Sequence, residues 1–331
     1  MREIADILDL LTARAESPAV LATVLGVEGS SYRLPGARLL WLPDGTRSGS
    51  ISGGCLEEDV IEHARRVLET GRAESLSYDT AVENDLLWGT GSGCAGRVHL
   101  LIEALPLERP AWIATLRDNQ RARRDTVLAV VHRGSLPPGT RLAAEFPASA
   151  GTAEAFFETI PPPPLVVVFG AGDDAQPLVK LTRALGWQVT VVDSRAAYAT
   201  TGRFPDATSV VVVPPESAPA AVRLDAHTLA IVMTHRFRDD TALLRGLLPR
   251  PLTYLGLLGP RRRAERLLAA LEADGFVATA AMREMLHAPV GLDLGGHTPE
   301  TVALAIVAEM QCRLTGRPPI HLRERTAPIH G

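Results

Sequence analysis

Cysteine is scarce in this chain: 331 residues hold three, at positions 55, 94 and 312. An odd number at wide spacing builds no disulfide framework and no CxxC pair, which excludes a zinc finger or ribbon and points to a reducing compartment, the cytoplasm. Long apolar runs are missing too. Nothing approaches the ~20 consecutive apolar residues of a membrane-spanning helix, and the opening Met1-Arg2-Glu3-Ile4-Ala5-Asp6 is amphipathic, so no membrane partner is expected. The formal net charge is −4, and without a basic field nucleic acid is not an expected partner. The pattern holds no catalytic triad, no paired carboxylates and no cluster of metal ligands. What is present is an ordinary globular composition, 46% apolar and 22% charged, at a length suited to about two domains.

Within that composition one stretch stands out, Gly49-Ser50-Ile51-Ser52-Gly53-Gly54-Cys55 followed by Leu56-Glu57-Glu58-Asp59-Val60. Leu56, Val60, Ile61, Ala64, Val67 and Leu68 recur at helical spacing, Gly71 supplies a stop, and the three acids load the first turn. The spacing therefore puts Cys55 at a helix N-terminus, where free backbone N–H groups would favour a thiolate. Gly53 and Gly54 clear the side chains that would keep a flat or anionic ligand off the backbone. The alternative is a small buried cysteine in a tight loop.

A second glycine cluster, residues 88–96, cradles Cys94 behind Gly93 and leads into an alternating strand at Val98, Leu100 and Ile102. Two glycine-cradled thiols in one small domain read as one binding site assembled from two loops. Before them, Ile4, Ile7, Leu8 and Leu11 form the stripe of a first helix, and residues 19–25 and 38–42 read as strands. The loop between those strands carries Ser30, Ser31 and Arg33, which read either as holders of an anion or as a solvated turn. Cys312 falls in a long apolar helix beginning near Pro299 and reads as core filling.

Residues 106–164 read as a connecting segment, with a helix at 111–118, a strand at 126–131 and four consecutive prolines at 161–164 as a stiff linker. A nucleotide-binding pattern follows in its proper context. Residues 165–169 form a buried strand, Gly170-Ala171-Gly172-Asp173-Asp174-Ala175 fits G-x-G-x-x-A, a helix opens at Pro177, and a second strand ends in Asp193 at the offset of a ribose-binding acid. Further strands are expected at 209–213, 229–233, 253–257 and 290–292, as a parallel sheet requires. Asp173 and Asp174, however, put negative charge where a pyrophosphate would sit. Thr234-His235 and Gly259-Pro260-Arg261-Arg262-Arg263 follow strands at the same edge, and the three arginines oppose the helix dipole in a way a bound anion would relieve. Thr298 and Pro299 read as a helix cap.

Taken together these motifs resemble the XdhC family, also called CoxI, of maturation factors for molybdenum hydroxylases such as xanthine dehydrogenase. The resemblance rests on SGSISGGCLEEDV at 48–60, WGTGSGCAG at 88–96, VVVFGAGDDAQPL at 166–178, MTHRFRDD at 233–240, YLGLLGPRRR at 254–263 and PVGLDLGGHTPE at 289–300. It implies an α/β protein with a small N-terminal α/β domain, residues 1–105, followed by a Rossmann-like doubly wound parallel-sheet domain, residues 165–331. It further implies a non-catalytic chaperone that binds molybdenum cofactor, protects it and inserts it into an apo-hydroxylase, with a cysteine desulfurase as partner; a homodimer is expected. The family usually has histidine where this chain has Asp173. Carried onto this sequence, the cofactor site comprises Cys55, as the contact to molybdenum, with Ser52, Gly53, Gly54, Arg33, Gly93 and Cys94. Gly170, Gly172, Asp193, His235 and Arg261 join it from the second half. The alternative is an NAD(P)-dependent oxidoreductase using the Rossmann-like half, favoured by Gly170, Gly172 and Asp193 and opposed by Asp173 and Asp174.

Overall fold

The computed structural model describes residues 2–29, 31–79, 96–147 and 151–326. The chain divides into two compact units, with the boundary between Pro162 and Pro163.

The first unit is built on β1 (Ala19–Gly29), preceded by helix α1 (Arg2–Ala13). β2 (Arg38–Trp41) and β3 (Arg47–Gly49) follow, then α2 (Glu57–Thr70), β4 (Glu74–Asp79) and β5 (Gly96–Leu105). The strands form an antiparallel sheet in the order β3-β2-β1-β5-β4. Both faces of its centre are buried, which is why β1 is continuously apolar instead of alternating. Val20, Ala22 and Val24 face α2 through Val60, Ala64 and Val67, whereas Ala19 and Leu21 face Ile7, Leu8 and Leu11 of α1. At the edge only one face is covered, so β4 reads Glu-Ser-Leu-Ser-Tyr-Asp, with Leu76 and Tyr78 against the α2 cluster.

The segment expected to be a connector is folded. It forms α3 (Ala111–Ala122), which continues past the expected stop at 118, then β6 (Thr126–Arg133), β7 (Gly139–Leu142) and β8 (Glu154–Ile160), a three-stranded antiparallel sheet ordered β7-β6-β8. Arg38, 1% exposed, reaches from β2 to Glu158 of β8 at 2.7 Å. That pair ties the two sheets of this unit together.

The second unit comprises β9 (Leu165–Phe169), α4 (Ala175–Ala184), β10 (Gln188–Asp193), β11 (Ser209–Val212), α5 (Ala218–Ala221), β12 (Thr228–Val232), α6 (Phe237–Leu247) and β13 (Tyr254–Leu257). It continues with α7 (Arg261–Ala273), α8 (Ala280–Met285), β14 (Leu286–His287) and α9 (Pro299–Thr315). All neighbouring strands are parallel, in the order β11-β10-β9-β12-β13-β14. This is the doubly wound order, reversing between β9 and β12. Val166 and Val168 of β9 pack with α4 and α9; Val167 and Phe169 pack with α6 and α7. The last strand lies at Leu286–His287 instead of the expected 290–292. Val290 still donates its N–H to the Leu257 carbonyl at 3.2 Å, but Pro289 has no N–H to give and the ladder stops before it.

Candidate functional site

The glycine turn before α2 is organised by a carboxylate. Glu57, 5% exposed, accepts hydrogen bonds from the backbone N–H groups of Ile51 at 3.2 Å, Ser52 at 3.1 Å, Gly53 at 3.3 Å and Gly54 at 2.9 Å. The Ser50 hydroxyl adds one at 2.7 Å and the Ser52 hydroxyl another. Burial pushes this carboxyl up, yet the bonds from Ser52, Ser50 and the backbone outweigh it and hold the group at about 2. Consecutive N–H groups of this kind form a concavity for an anion, and here Glu57 is the anion. The backbone N–H groups of residues 51–54 are therefore already occupied. Ser52 is saturated as well, since its oxygen accepts from Leu56 at 3.0 Å and Gly54 at 3.3 Å.

Cys55 itself is exposed, which removes the buried-cysteine alternative. It precedes the helix by one residue, with Leu56 in the cap position. Gly53 has φ +105°, and a Cβ there would lie 2.9 Å from the Tyr32 ring; Gly54 has φ +123° and open space around that position. Arg33 is half-buried and ion-paired with Glu3 of α1, so its charge already has a partner within the chain. Cys94 and Gly93 lie outside the described residues. Cys312 is half-buried in α9.

In the second unit the structure brings Asp193, the 170–174 turn, Thr234 and His235 to the carboxyl edge of the sheet. Asp193 sits where a ribose acid belongs, but its carboxylate is engaged on four sides. Oδ1 accepts from the Arg195 N–H at 2.8 Å and Nε at 2.9 Å; Oδ2 accepts from Ala171 N–H at 2.8 Å and the Arg195 guanidinium at 2.7 Å. Burial raises its affinity for a proton, and Arg195 with the backbone N–H groups more than reverses this, so its pKa is lowered. The crevice beside it, lined by Phe169, Asp193, Ser194, Arg195 and Thr234, is narrow, with about 10 Å³ open to water, room for one molecule.

The two acids that oppose a pyrophosphate are also partnered. Asp174 meets His235 Nε2 at 2.7 Å, with His235 in the left-handed region at φ +61°, and Asp173 meets Arg203 at 2.8 Å. Gly172 lacks a Cβ that would fall 2.5 Å from Asp174 Oδ1. Of the arginines opening α7, Arg261 and Arg262 are exposed, while Arg263 binds Asp240 at 2.6 Å. Asp240, 1% exposed, also accepts from the Thr234 hydroxyl at 2.5 Å. For Arg263, then, the anion anticipated at this helix end comes from the chain. We expect no saturable binding of NADH or NADPH by calorimetry and no hydride turnover with aldehydes, ketones or pterins. Steady oxidation of either nucleotide would show that the Asp193–Arg195 pair opens.

No group of three or more His, Cys, Asp or Glu side chains placed to hold a metal occurs among the described residues. Sequence reading saw Glu57 only as a helix-dipole acid and missed Glu3 and Asp240. The available signal was an excess of N–H and hydroxyl donors in residues 50–54 with one acid within reach.

Residues 12–79 match the model of the XdhC and CoxI family, and residues 166–310 that of the XdhC Rossmann domain. The chain is 33% identical over 316 residues to a Bacillus subtilis protein named as a probable xanthine dehydrogenase subunit, covering 89% of this chain and 93% of that one. It belongs to the XdhC/CoxI family. A solved structure described as a xanthine dehydrogenase of Bacillus halodurans superposes on this XdhC/CoxI protein with a TM-score of 0.82 at 30% identity, over 96% of this chain and 97% of that one. The molybdenum cofactor insertion chaperone PaoD of Escherichia coli is 24% identical over 297 residues, 88% of this chain and 82% of its own. The expected fold, an α/β protein with a Rossmann-like parallel sheet, is the observed one.

Proposed function

We propose that this XdhC/CoxI protein is a carrier of molybdenum cofactor. It takes the cofactor as cargo, shields its metal centre and passes it to an apo-molybdenum hydroxylase of the xanthine dehydrogenase kind, without turning over a substrate. A cysteine desulfurase that supplies sulfur to the cargo, and a second copy of the chain, are the further proposed partners. The observation that carries this reading is the exposed thiol of Cys55 on a turn that Glu57 holds rigid. The cargo's metal is held by dithiolene sulfurs, and a thiol is the side chain best matched to it in softness. Gly54 leaves the backbone beside the thiol open to a flat ring. Cys94, behind Gly93, is proposed as the second thiol of the site. The PaoD relative, named as an insertion chaperone, supports the reading.

The test is the metal content of protein purified from molybdate-fed cells. Wild type is expected to carry molybdenum and pterin. Cys55→Ala should fold normally, since the side chain is exposed, and should lose roughly 10–100-fold in cofactor affinity, the range seen when groups around a bound metal are removed. A Cys55→Ala protein with full molybdenum occupancy would overturn the assignment.

A further inference from the structure

Facing the thiol loop is an aromatic side chain that the fold holds in the open. Tyr32 is 69% exposed and its neighbour Leu34 is 48% exposed. The loop that carries them is tied down on all sides. Gly36 donates its N–H to the Val24 carbonyl at 2.8 Å, Val24 donates to Ala37 at 2.9 Å, and Arg38 donates its N–H to Glu3 at 3.0 Å. Arg33, between Tyr32 and Leu34, is ion-paired to the same Glu3 carboxylate. The Tyr32 ring rests on Gly53: a Cβ at that position would meet Cδ1 at 2.9 Å and Cε1 at 3.2 Å. Next comes Gly54, with open space on its Cα, and then the exposed Cys55. Seat, open floor and thiol thus occupy three consecutive residues, and Glu57 fixes them from the helix side.

We infer that Tyr32 is the stacking platform for the pterin ring of the cargo. The ring stacks on the exposed side of Tyr32 and reaches over the open Gly54 backbone, with the metal-bearing end of the cofactor toward Cys55. The inference rests on the carrier reading above. Its physical ground is what this surface can offer a ligand. The N–H groups of residues 51–54 are consumed by Glu57, so the turn does not recognise phosphate or another anion. What remains is one face of an aromatic ring, an unobstructed glycine backbone and a soft sulfur. A flat heteroaromatic ring uses the first two, by offset stacking on Tyr32 and close approach over Gly54, and the metal-bearing end of the cofactor meets the third. Because both loops are fixed beforehand, ordering them on binding takes little from the affinity.

The full chain is titrated calorimetrically with a metal-free reduced pterin, tetrahydropterin, and separately loaded without oxygen with molybdenum cofactor released from a hydroxylase. Tyr32→Phe is expected to bind the metal-free pterin within about twofold of wild type, and Tyr32→Leu and Tyr32→Ala about tenfold more weakly, the usual worth of one aromatic stack. Tyr32→Leu keeps an apolar group on Gly53 in case the alanine variant loses the loop. Leucine or alanine variants that bind as tightly as wild type overturn the inference, and so does a phenylalanine variant that falls with them. A wild type that takes up no molybdenum cofactor, yet whose pterin affinity follows Tyr32, overturns the carrier reading and leaves the stacking assignment standing.

Discussion

Glu57→Ala is expected to lower the stability of the chain by about 3–5 kcal/mol, the range for removing one partner from a buried charged network. Four backbone N–H groups and two hydroxyls lose the Glu57 acceptor together; Gly53 and Gly54 keep bonds to the Ser50 and Ser52 hydroxyls, whereas a buried donor left without a partner, as at Ile51, costs about 1–3 kcal/mol. Cofactor loading should disappear in the same variant, because nothing then holds Gly53, Gly54 and Cys55 in place. The pH dependence gives a second reading of the same carboxylate. Its folded-state pKa is about 2 against 4.5 for the free group. A depressed pKa contributes stability that is fully present above 4.5 and drains away as pH falls toward 2, amounting to about 3 kcal/mol at neutral pH. Urea unfolding of wild type at pH 7 and pH 3 should show about 2 kcal/mol of this loss, since pH 3 still lies above the folded-state value. Glu57→Gln, which cannot titrate, should start lower and lose that much less between the two pH values. An alanine variant as stable as wild type at pH 7 would show that the turn does not depend on Glu57.

The second large effect lies in the other unit. Gly170→Ala is expected to destabilise the Rossmann-like domain by about 3 kcal/mol or more, from a strained backbone and a forced contact that each cost about 1–3 kcal/mol. Gly170 has φ +122°, and an added Cβ would sit 2.5 Å from the Met233 carbonyl oxygen and 2.7 Å from its carbon. Neither chain can retreat, because Gly170 donates its N–H to Val192 at 2.8 Å and Met233 donates to Phe169 at 2.8 Å. Gly202→Ala is the control, with nothing within 4 Å of the new atom, and should unfold like wild type. Equal denaturation midpoints for the two variants would be the contrary result. The first glycine of the fingerprint is thus needed for the crossing of two loops at the point where strand order reverses. A dinucleotide is not required to explain it.

Period and punctuation made the second unit readable from sequence. Strand, glycine turn, helix and acid stand in order from Val166 to Asp193, and the continuous apolar runs of β9 and β12 mark strands covered on both faces. Thr298 and Pro299 announced α9, and the Thr298–Thr301 capping box is present. β4 escaped because an edge strand with one covered face contributes few apolar positions, here Leu76 and Tyr78. The chemistry of the sites was harder to read than the fold. Glycines and serines at 50–54 show that backbone N–H groups will converge. Only coordinates show that Glu57 reaches back to fill them, that Arg195 closes on Asp193, or that Asp240 neutralises Arg263. Each is a partnership set by tertiary placement, and charge pattern alone leaves such groups looking available for ligands.

The margins of the six-stranded sheet bear on how this protein can assemble. On one side β11 spans Ser209–Val212 and is followed within three residues by Pro214 and Pro215; on the other β14 spans only Leu286–His287 before Pro289. A short border that runs into an imino acid offers few amide donors in line, which is one way natural sheets avoid recruiting foreign strands. Growth of the sheet from one copy into the next is thereby blocked at both borders. Any pairing of two copies through this domain would have to use helix flanks or loops, where side chains and not a backbone ladder set the register.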